Sequence, residues 1–160
     1  MVNNLFQNIA NAAGLSSYQI GLLQTKAYRI LNHETARILK QYDITPIDWA
    51  LLGLLYDSQL QSKGGRRLSD IAEELGVEAP FVTERAQDLI KLKLVSIIQS
   101  KDDKRVKHME LTEKAKLQIP SIEKDLLASM RPLIQGSSIK EILGYKKVLE
   151  QIVKNRPKKL

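Results

Sequence analysis

The chain has 160 residues, the size of one domain with room for a sizeable hydrophobic core. It contains no cysteine, so disulfides, thiolate nucleophiles and cysteine-based zinc sites are excluded. Aromatic residues make up only 5%, which argues against single-strand binding by base stacking, and the net charge of +7 is compatible with nucleic acid without requiring it.

The amino-terminal stretch "MVNNLFQNIANAAG" lacks the basic segment and long apolar run of a signal peptide. No stretch approaches the ~18 consecutive apolar residues of a membrane span. Together with the absence of cysteine, these features lead us to expect a cytoplasmic protein with no membrane partner.

Helix signals dominate the first part of the chain. Apolar residues at helical spacing predict a helix over residues 16–42. Thr45, Pro46 and Asp48 are typical of the start of a second helix. Its sequence "IDWALLGLLYD" is apolar nearly all round, which predicts a buried, central helix, and the polar stretch "SQLQSKGGRR" then predicts a loop.

Two shorter helices are predicted next, in "LSDIAEELGV" and "EAPFVTERAQDLIKLKL", separated by a turn at Gly76. This is a helix-turn-helix pattern, in which the second helix presents its amino-terminal residues to a major groove. The residues expected on the inner side of that second helix are Phe81, Val82, Ala86, Leu89 and Ile90.

The outward face of the second helix has the chemistry of a DNA reader, with one objection. Thr83 and Gln87 suit base edges, whereas Arg85 and Lys91 suit phosphates. Glu78 and Glu84 repel phosphate unless they accept from cytosine amino groups. The DNA contacts predicted on this helix are Ala79, Pro80, Thr83, Glu84, Arg85, Gln87 and Lys91.

A β-hairpin is predicted directly after that helix, from "LVSIIQS" and "VKHMEL" around a charged turn. A helix-turn-helix followed by a charged hairpin is a winged helix, whose tip can place a cation in the narrow minor groove. Arg105 is the predicted groove probe, with Asp103 as its buttress; a solvated turn is the alternative. The remaining predicted wing contacts are Lys101, Lys104 and Lys107.

Two further helices are predicted after the hairpin. Thr112 is a suitable cap for the first, which should run to about residue 132 or 136, and Ser138 with Glu141 forms a capping box for the second. Their apolar stripes are Leu117, Ile122, Leu126, Leu127 and Met130, then Ile139, Ile142, Leu149 and Ile152. Stripes of this size mark an interface with a second chain, or else pack on each other within one chain.

The order of these elements resembles the MarR family of winged helix-turn-helix transcriptional regulators, over about residues 16–155. That family pairs a D-x-R wing tip with a following L-T-x-x-G, and here "DKR" ends at Arg105 and "LT" is Leu111-Thr112. The chain departs from the family at Lys93 and Ala115, where glycine is usual. A left-handed Lys93 would cost on the order of 1 kcal/mol.

The resemblance implies a mainly α fold with a small β-hairpin wing. It implies a single MarR-like domain over 1–160, with a winged helix-turn-helix DNA-binding core over 45–112 and dimerisation helices over 16–42 and 113–155. It also implies a homodimer that binds double-stranded DNA as a transcriptional regulator, as a repressor, with a small-molecule effector as a further partner. The alternative is a winged-helix protein-interaction module that does not read DNA.

Enzyme motifs are not found in the sequence. The two histidines, His33 and His108, are far apart, and no phosphate-binding glycine motif occurs. We therefore expect no catalytic activity, no cofactor and no metal site. His108 is predicted to be exposed on the wing. His33 is a weak candidate for binding an effector, with a plain surface histidine as the alternative.

Overall fold

The computed structural model describes residues 17–61, 64–99 and 106–155. The elements in chain order are α1 (Ser17–Leu39), α2 (Pro46–Leu60), β1 (Arg66–Arg67), α3 (Leu68–Leu75), α4 (Ala79–Lys91), β2 (Val95–Gln99), β3 (Lys107–Leu111), α5 (Glu113–Met130) and α6 (Ile139–Lys154). Short 3₁₀ turns follow α1 at Lys40–Tyr42 and α5 at Arg131–Ile134. Among the described helices, none is both long and apolar enough to span a bilayer.

The helix starts predicted by capping are confirmed at α2 and α6. The Thr45 hydroxyl accepts from the Asp48 N–H at 3.3 Å, and the Asp48 carboxylate accepts from the Thr45 N–H at 2.8 Å. Ser138 and Glu141 form the same reciprocal pair at the start of α6. These bonds satisfy backbone donors that the first turn of a helix leaves free. The predicted start at residue 16 lies outside the described residues.

The helix-turn-helix is formed by α3 and α4. Gly76 ends α3 with φ 69°, a left-handed conformation that glycine adopts without steric cost. Its N–H donates to the Glu73 carbonyl, and the Val77 N–H donates to the Ala72 carbonyl at 3.0 Å. This pair of bonds closes the end of α3 and turns the chain into α4.

The buried face of α4 is narrower than the sequence predicted. Val82, Ala86 and Leu89 are fully buried. The prediction that Phe81 and Ile90 also face inward was wrong, since their side chains are 39% and 40% exposed. They lie on the two margins of the buried stripe, because at 3.6 residues per turn Phe81 falls on one side of Val82, Ala86 and Leu89 and Ile90 falls on the other.

The sheet has three antiparallel strands in the order β1-β3-β2. The hairpin of β2 and β3 was predicted, and Ile97 lies opposite the fully buried Met109. Strand β1, where Arg66 pairs with Met109, falls in a stretch that was predicted to be a loop. Two residues are too short a run to show the alternation that identifies a strand.

One hydrophobic core joins α2 to the winged helix and to α5. Leu51, Leu52 and Leu55 of α2 are buried in it, as predicted for a central helix. On α5 the buried residues are Ala115, Ile119, Ile122 and Leu126. Leu117 and Leu127, also predicted in that stripe, are exposed in the single chain. The buried apolar residues of α5 recur at spacings of four, three and four residues.

Helix α6 and the amino-terminal half of α1 are exposed in the single chain. Every residue of α6 is exposed, although its apolar residues recur at helical spacing. An apolar groove of about 660 Å³ lies between the two helices. It is lined by Ile20, Leu23, Gln24, Ala27, Ile30, Leu31, Leu133, Ile134, Tyr145, Val148, Leu149 and Ile152.

Candidate nucleic-acid interface

An exposed stripe runs along α4 on the side away from the core. Pro80, Glu84, Gln87 and Lys91 follow one another at spacings of four, three and four residues, and all four are exposed. Such spacing places side chains in one row along a helix. Ala79 and Thr83 are exposed beside the row, and the Thr83 hydroxyl donates to the Ala79 carbonyl at 3.1 Å. We call this row with Thr83 the reading stripe.

Arg85 lies on α4 but not in the reading stripe. Its Nε donates to Oδ1 of Asp48 at 2.9 Å and its Nη2 donates to Oδ2 at 3.1 Å. Its Nη1 lies 3.0 Å from Oδ2 of Asp88. The hydrogen bond to Asp48, followed by the nearby acidic charges, raises the pKa of Arg85. The guanidinium predicted to contact phosphate is therefore already paired on both sides.

Asp48, the partner of Arg85, is 1% exposed, so its carboxylate lies within the core. Its Oδ2 also accepts from the Thr45 hydroxyl at 2.6 Å. In the described part of the chain, no buried side-chain nitrogen or oxygen lacks a hydrogen-bond partner. A buried carboxylate that is neutralised and fully bonded in this way holds α4 to α2 in one orientation.

Sequence reasoning missed the pair of Asp48 and Arg85. Asp48 was interpreted only as the partner of the Thr45 cap, and Arg85 only as a phosphate contact. The two residues are 37 positions apart on different helices. A single sequence carries no signal for a contact of that kind, although an acid within an otherwise apolar helix is a reason to look for a buried cation.

Lys91 ends the reading stripe and is held only loosely. Its Nζ lies 2.8 Å from Oδ1 of Asp88, and this hydrogen bond lowers the pKa of Asp88. The Lys91 side chain is largely exposed. Exposed pairs of this kind contribute between nothing and about 1 kcal/mol, so Lys91 can exchange Asp88 for a phosphate at little cost.

The junction between α4, the wing and α5 depends on Lys93 and Thr112. Lys93 has φ 60°, the left-handed conformation expected at a position where glycine is usual. The Thr112 hydroxyl donates to the Lys93 carbonyl at 2.7 Å and accepts from the Ala115 N–H at 3.2 Å. One hydroxyl thus links the end of α4 to the start of α5, which gives the Leu111-Thr112 motif a structural reason.

Only the base of the wing is described. Lys107 is exposed at the start of β3. His108 was predicted to be exposed, but it is partly buried, and its Nδ1–H donates to the Gly65 carbonyl at 3.3 Å, beside the β1–β3 pairing. The wing residues Lys101, Asp103, Lys104 and Arg105 lie outside the described residues, so their predicted contacts stay predictions.

A cavity of about 530 Å³ lies between α2 and α5. It is lined by Trp49, Ala50, Gly53, Tyr56, Asp57, Ile119, Pro120 and Glu123. His33, the residue proposed from the sequence for an effector, is exposed beside Glu34 and does not line this cavity. A usable signal was the spacing of Trp49, Gly53 and Tyr56 on one face of α2.

Across residues 17–61, 64–99 and 106–155, no three histidine, aspartate or glutamate side chains come close enough together to hold a metal ion.

Residues 42–106, which span α2, the helix-turn-helix and β2 but not β3, match the model of the MarR family. The matched segment is similar to the MarR family. The resemblance drawn from the sequence is thereby confirmed. No curated protein sequence matches this chain.

Solved structures of MarR regulators share the fold over most of their length. A MarR transcriptional regulator from Methanosarcina mazei Go1 is 19% identical, with a TM-score of 0.73 over 87% of this chain and 96% of its own. MepR from S. aureus, solved as a DNA complex, is 23% identical, with a TM-score of 0.71 over 85% and 97%. CouR from Rhodococcus jostii RHA1, bound to p-coumaroyl-CoA, is 15% identical, with a TM-score of 0.75 over 87% and 94%.

These likenesses establish the MarR fold for the chain, including the long helices on either side of the winged helix. They confirm the predicted fold class, which is mainly helical with a small antiparallel sheet.

Proposed function

We propose that this chain is a sequence-specific, double-stranded DNA-binding transcriptional regulator of the MarR type, a repressor that acts as a homodimer. The observation that carries the proposal is the exposed reading stripe on α4, the second helix of a helix-turn-helix that a hairpin follows. A helix placed in this way docks its amino-terminal half in a major groove. MepR, which has the same fold, was solved on DNA.

In this proposal the two halves of the interface have separate tasks. Thr83 and Gln87 contact base edges, while Lys91 and Lys107 contact phosphates. The wing tip enters the adjacent minor groove through Arg105, which Asp103 supports, and Lys101 and Lys104 contact the flanking backbone. Arg85 holds α4 against α2 and does not contact DNA, because its guanidinium is paired with Asp48 and Asp88.

The dimer is proposed from the exposed apolar surface. Eleven of the twelve residues that line the groove between α1 and α6 are apolar or aromatic, with Gln24 as the exception. A contiguous apolar surface of this kind is rare on a monomer. A second copy placed over residues 16–42 and 113–155 would cover it and would present two cores, each spanning 45–112, to a two-fold symmetric site.

The cavity between α2 and α5 is the proposed effector site. Its volume is in the range of small-ligand pockets. Trp49 and Tyr56 offer ring faces, while Asp57 and Glu123 supply negative charge, which favours a flat organic cation. Trp49 is the sole tryptophan of the chain, so its fluorescence reports on occupancy directly. CouR, which has the same fold, was solved with a small ligand.

A second candidate function is a winged-helix module that binds a protein. The observation that favours it is the exposure of Glu78 and Glu84 on the surface that would face DNA. Acidic side chains there oppose the phosphate backbone and suit a basic protein surface instead.

Titration against a random duplex at several salt concentrations separates the two functions. A DNA reader loses affinity steeply as salt rises, because phosphate contacts release condensed counterions. Arg105→Ala should weaken binding by about 1–3 kcal/mol, most strongly at A·T-rich flanks, while Lys124→Ala on α5 is the matched control. Salt-independent or undetectable binding to every duplex would favour the protein-binding module.

A further inference from the structure

The reading stripe has no free arginine. Arg85 is the one arginine of α4, and Asp48 and Asp88 hold its guanidinium. The commonest specific contact in a major groove is an arginine placed bidentately on guanine. With Arg85 engaged, α4 lacks that contact, and the bases must be read by Thr83, Glu84 and Gln87.

Glu84 has the most central position among these three. It lies midway in sequence between Val82 and Ala86, both fully buried, so its side chain projects to the opposite side of the helix. It is also in the middle of the row from Pro80 to Lys91. No described residue hydrogen-bonds to its carboxylate or forms an ion pair with it. A duplex docked on this surface therefore faces the Glu84 carboxylate.

A carboxylate can only accept hydrogen bonds, and this restricts the base that it can face. Guanine presents two acceptors in the major groove, and thymine presents an acceptor and a methyl group. Adenine offers its amino group, but the neighbouring N7 acceptor repels a carboxylate. Cytosine offers an amino donor with no acceptor beside it, so it is the one base whose groove edge matches Glu84.

We propose that Glu84 is a specificity-determining residue that selects cytosine in each half-site of the operator. The inference rests on the proposed function as a DNA-binding regulator. The negative charge of Glu84 is repelled by the phosphates of every site. Only a half-site with cytosine at the facing position offsets this repulsion, because its amino group donates a hydrogen bond to the carboxylate, so Glu84 discriminates against the other three bases. Gln87, one helical turn further along the reading stripe, then faces a neighbouring base, and adenine suits its amide.

The test is selection of binding sites from randomised duplexes by the full-length protein and its Glu84→Gln and Glu84→Ala variants. The parent should select a cytosine at one position of each half-site. Glu84→Gln should move that position toward adenine, and Glu84→Ala should make it degenerate while binding to random duplex tightens. Replacing that C·G pair by T·A should weaken the parent roughly 5- to 150-fold and Glu84→Ala hardly at all.

Glu73→Gln, an exposed acid on α3, is the matched control and should keep the parent site. Circular dichroism should show all three variants folded, since Glu84 and Glu73 are exposed. If Glu84→Ala selects the same site as the parent and binds all duplexes more tightly by one factor, Glu84 only repels. That result overturns the cytosine proposal and leaves DNA binding intact. If the parent selects no duplex, the proposed function fails as well.

Discussion

Asp48 on α2 and Arg85 on α4 form a two-point ion pair whose acidic partner is 1% exposed and whose basic partner is 20% exposed. The pair links the helix that begins with the Thr45 cap to the helix that carries the reading stripe. Because Asp48 also accepts from Thr45, a single carboxylate sets the start of α2 and the orientation of α4 together.

Breaking this pair should destabilise the fold strongly. Asp48→Ala removes the buried partner of Arg85 and the carboxylate half of the capping box with Thr45, while Asp88 still pairs with Arg85, so the free energy of unfolding should fall by about 3 kcal/mol. Asp48→Leu combined with Arg85→Met removes both charges and should lose less than Asp48→Ala. Urea unfolding at one protein concentration measures this, with exposed Asp57→Ala as the control. Equal losses for Asp48→Ala and the control would contradict the role assigned to the pair.

Lys93→Gly should stabilise the protein. The left-handed backbone at Lys93 is strained by on the order of 1 kcal/mol for any residue that has a Cβ atom, and glycine adopts it without strain. Glycine also raises the entropy of the unfolded chain, which offsets part of this gain. The expected gain in the free energy of unfolding is about 0.5 kcal/mol. Lys91→Gly, two residues earlier and helical, should instead lose about 1 kcal/mol. Opposite signs in thermal unfolding confirm the geometry, and a loss at both positions contradicts it.

Thr112→Val should loosen the junction of the wing with α5. The substitution keeps the side-chain shape but removes the hydroxyl that bonds Lys93 and Ala115, so about 1–2 kcal/mol of stability should be lost. Thr25→Val removes an exposed bond within α1 and should change little. Hydrogen exchange should show faster opening at the start of α5. Unchanged exchange there would mean that the hydroxyl does not hold the junction.

A charge in the groove between α1 and α6 should separate the proposed dimer. Ile152 is exposed in the single chain, so Ile152→Glu harms one protomer little but buries a carboxylate when a second chain covers it. Sedimentation equilibrium should show a shift toward monomer or aggregate, while Lys147→Glu on the same helix stays as the parent.

Deleting residues 138–160 should give aggregation or an unfolded monomer. A parent chain that sediments as a compact monomer at micromolar concentration would rule out the dimer.

Acid should weaken the start of α6 through Glu141. Hydrogen bonds from the side chain and the backbone of Ser138 lower the pKa of Glu141 below its ordinary 4.5. A carboxyl with a lowered folded pKa stabilises the fold above its unfolded value, and this contribution is lost as pH falls through the folded pKa. Helicity followed by circular dichroism below pH 4.5 should therefore drop less in Glu141→Gln and Ser138→Ala than in the parent. Identical acid profiles would show that the cap does not titrate.

Local signals in the sequence were sufficient for most of the elements. The caps at Thr45, Thr112 and Ser138, the glycine stop at Gly76 and the hairpin around the charged turn were all predicted and confirmed. Each depends on contacts within a few residues, which a single chain displays directly. The left-handed Lys93 was expected from the MarR resemblance, because only the family pattern marks that position.

The sequence by itself therefore determined the order of the helices, the caps of α2, α5 and α6, the pairing of β2 with β3, and which surface of α4 carries polar side chains. Only the tertiary structure decided that Arg85 belongs to Asp48 rather than to a phosphate, that Phe81 and Leu117 lie outside the core, and that Trp49 lines a cavity with Glu123. Those outcomes depend on how helices pack against one another. Contacts between residues far apart in the chain produce no periodic pattern in the sequence. A side chain that is stable both in water and against protein is buried or exposed according to the residues packed around it.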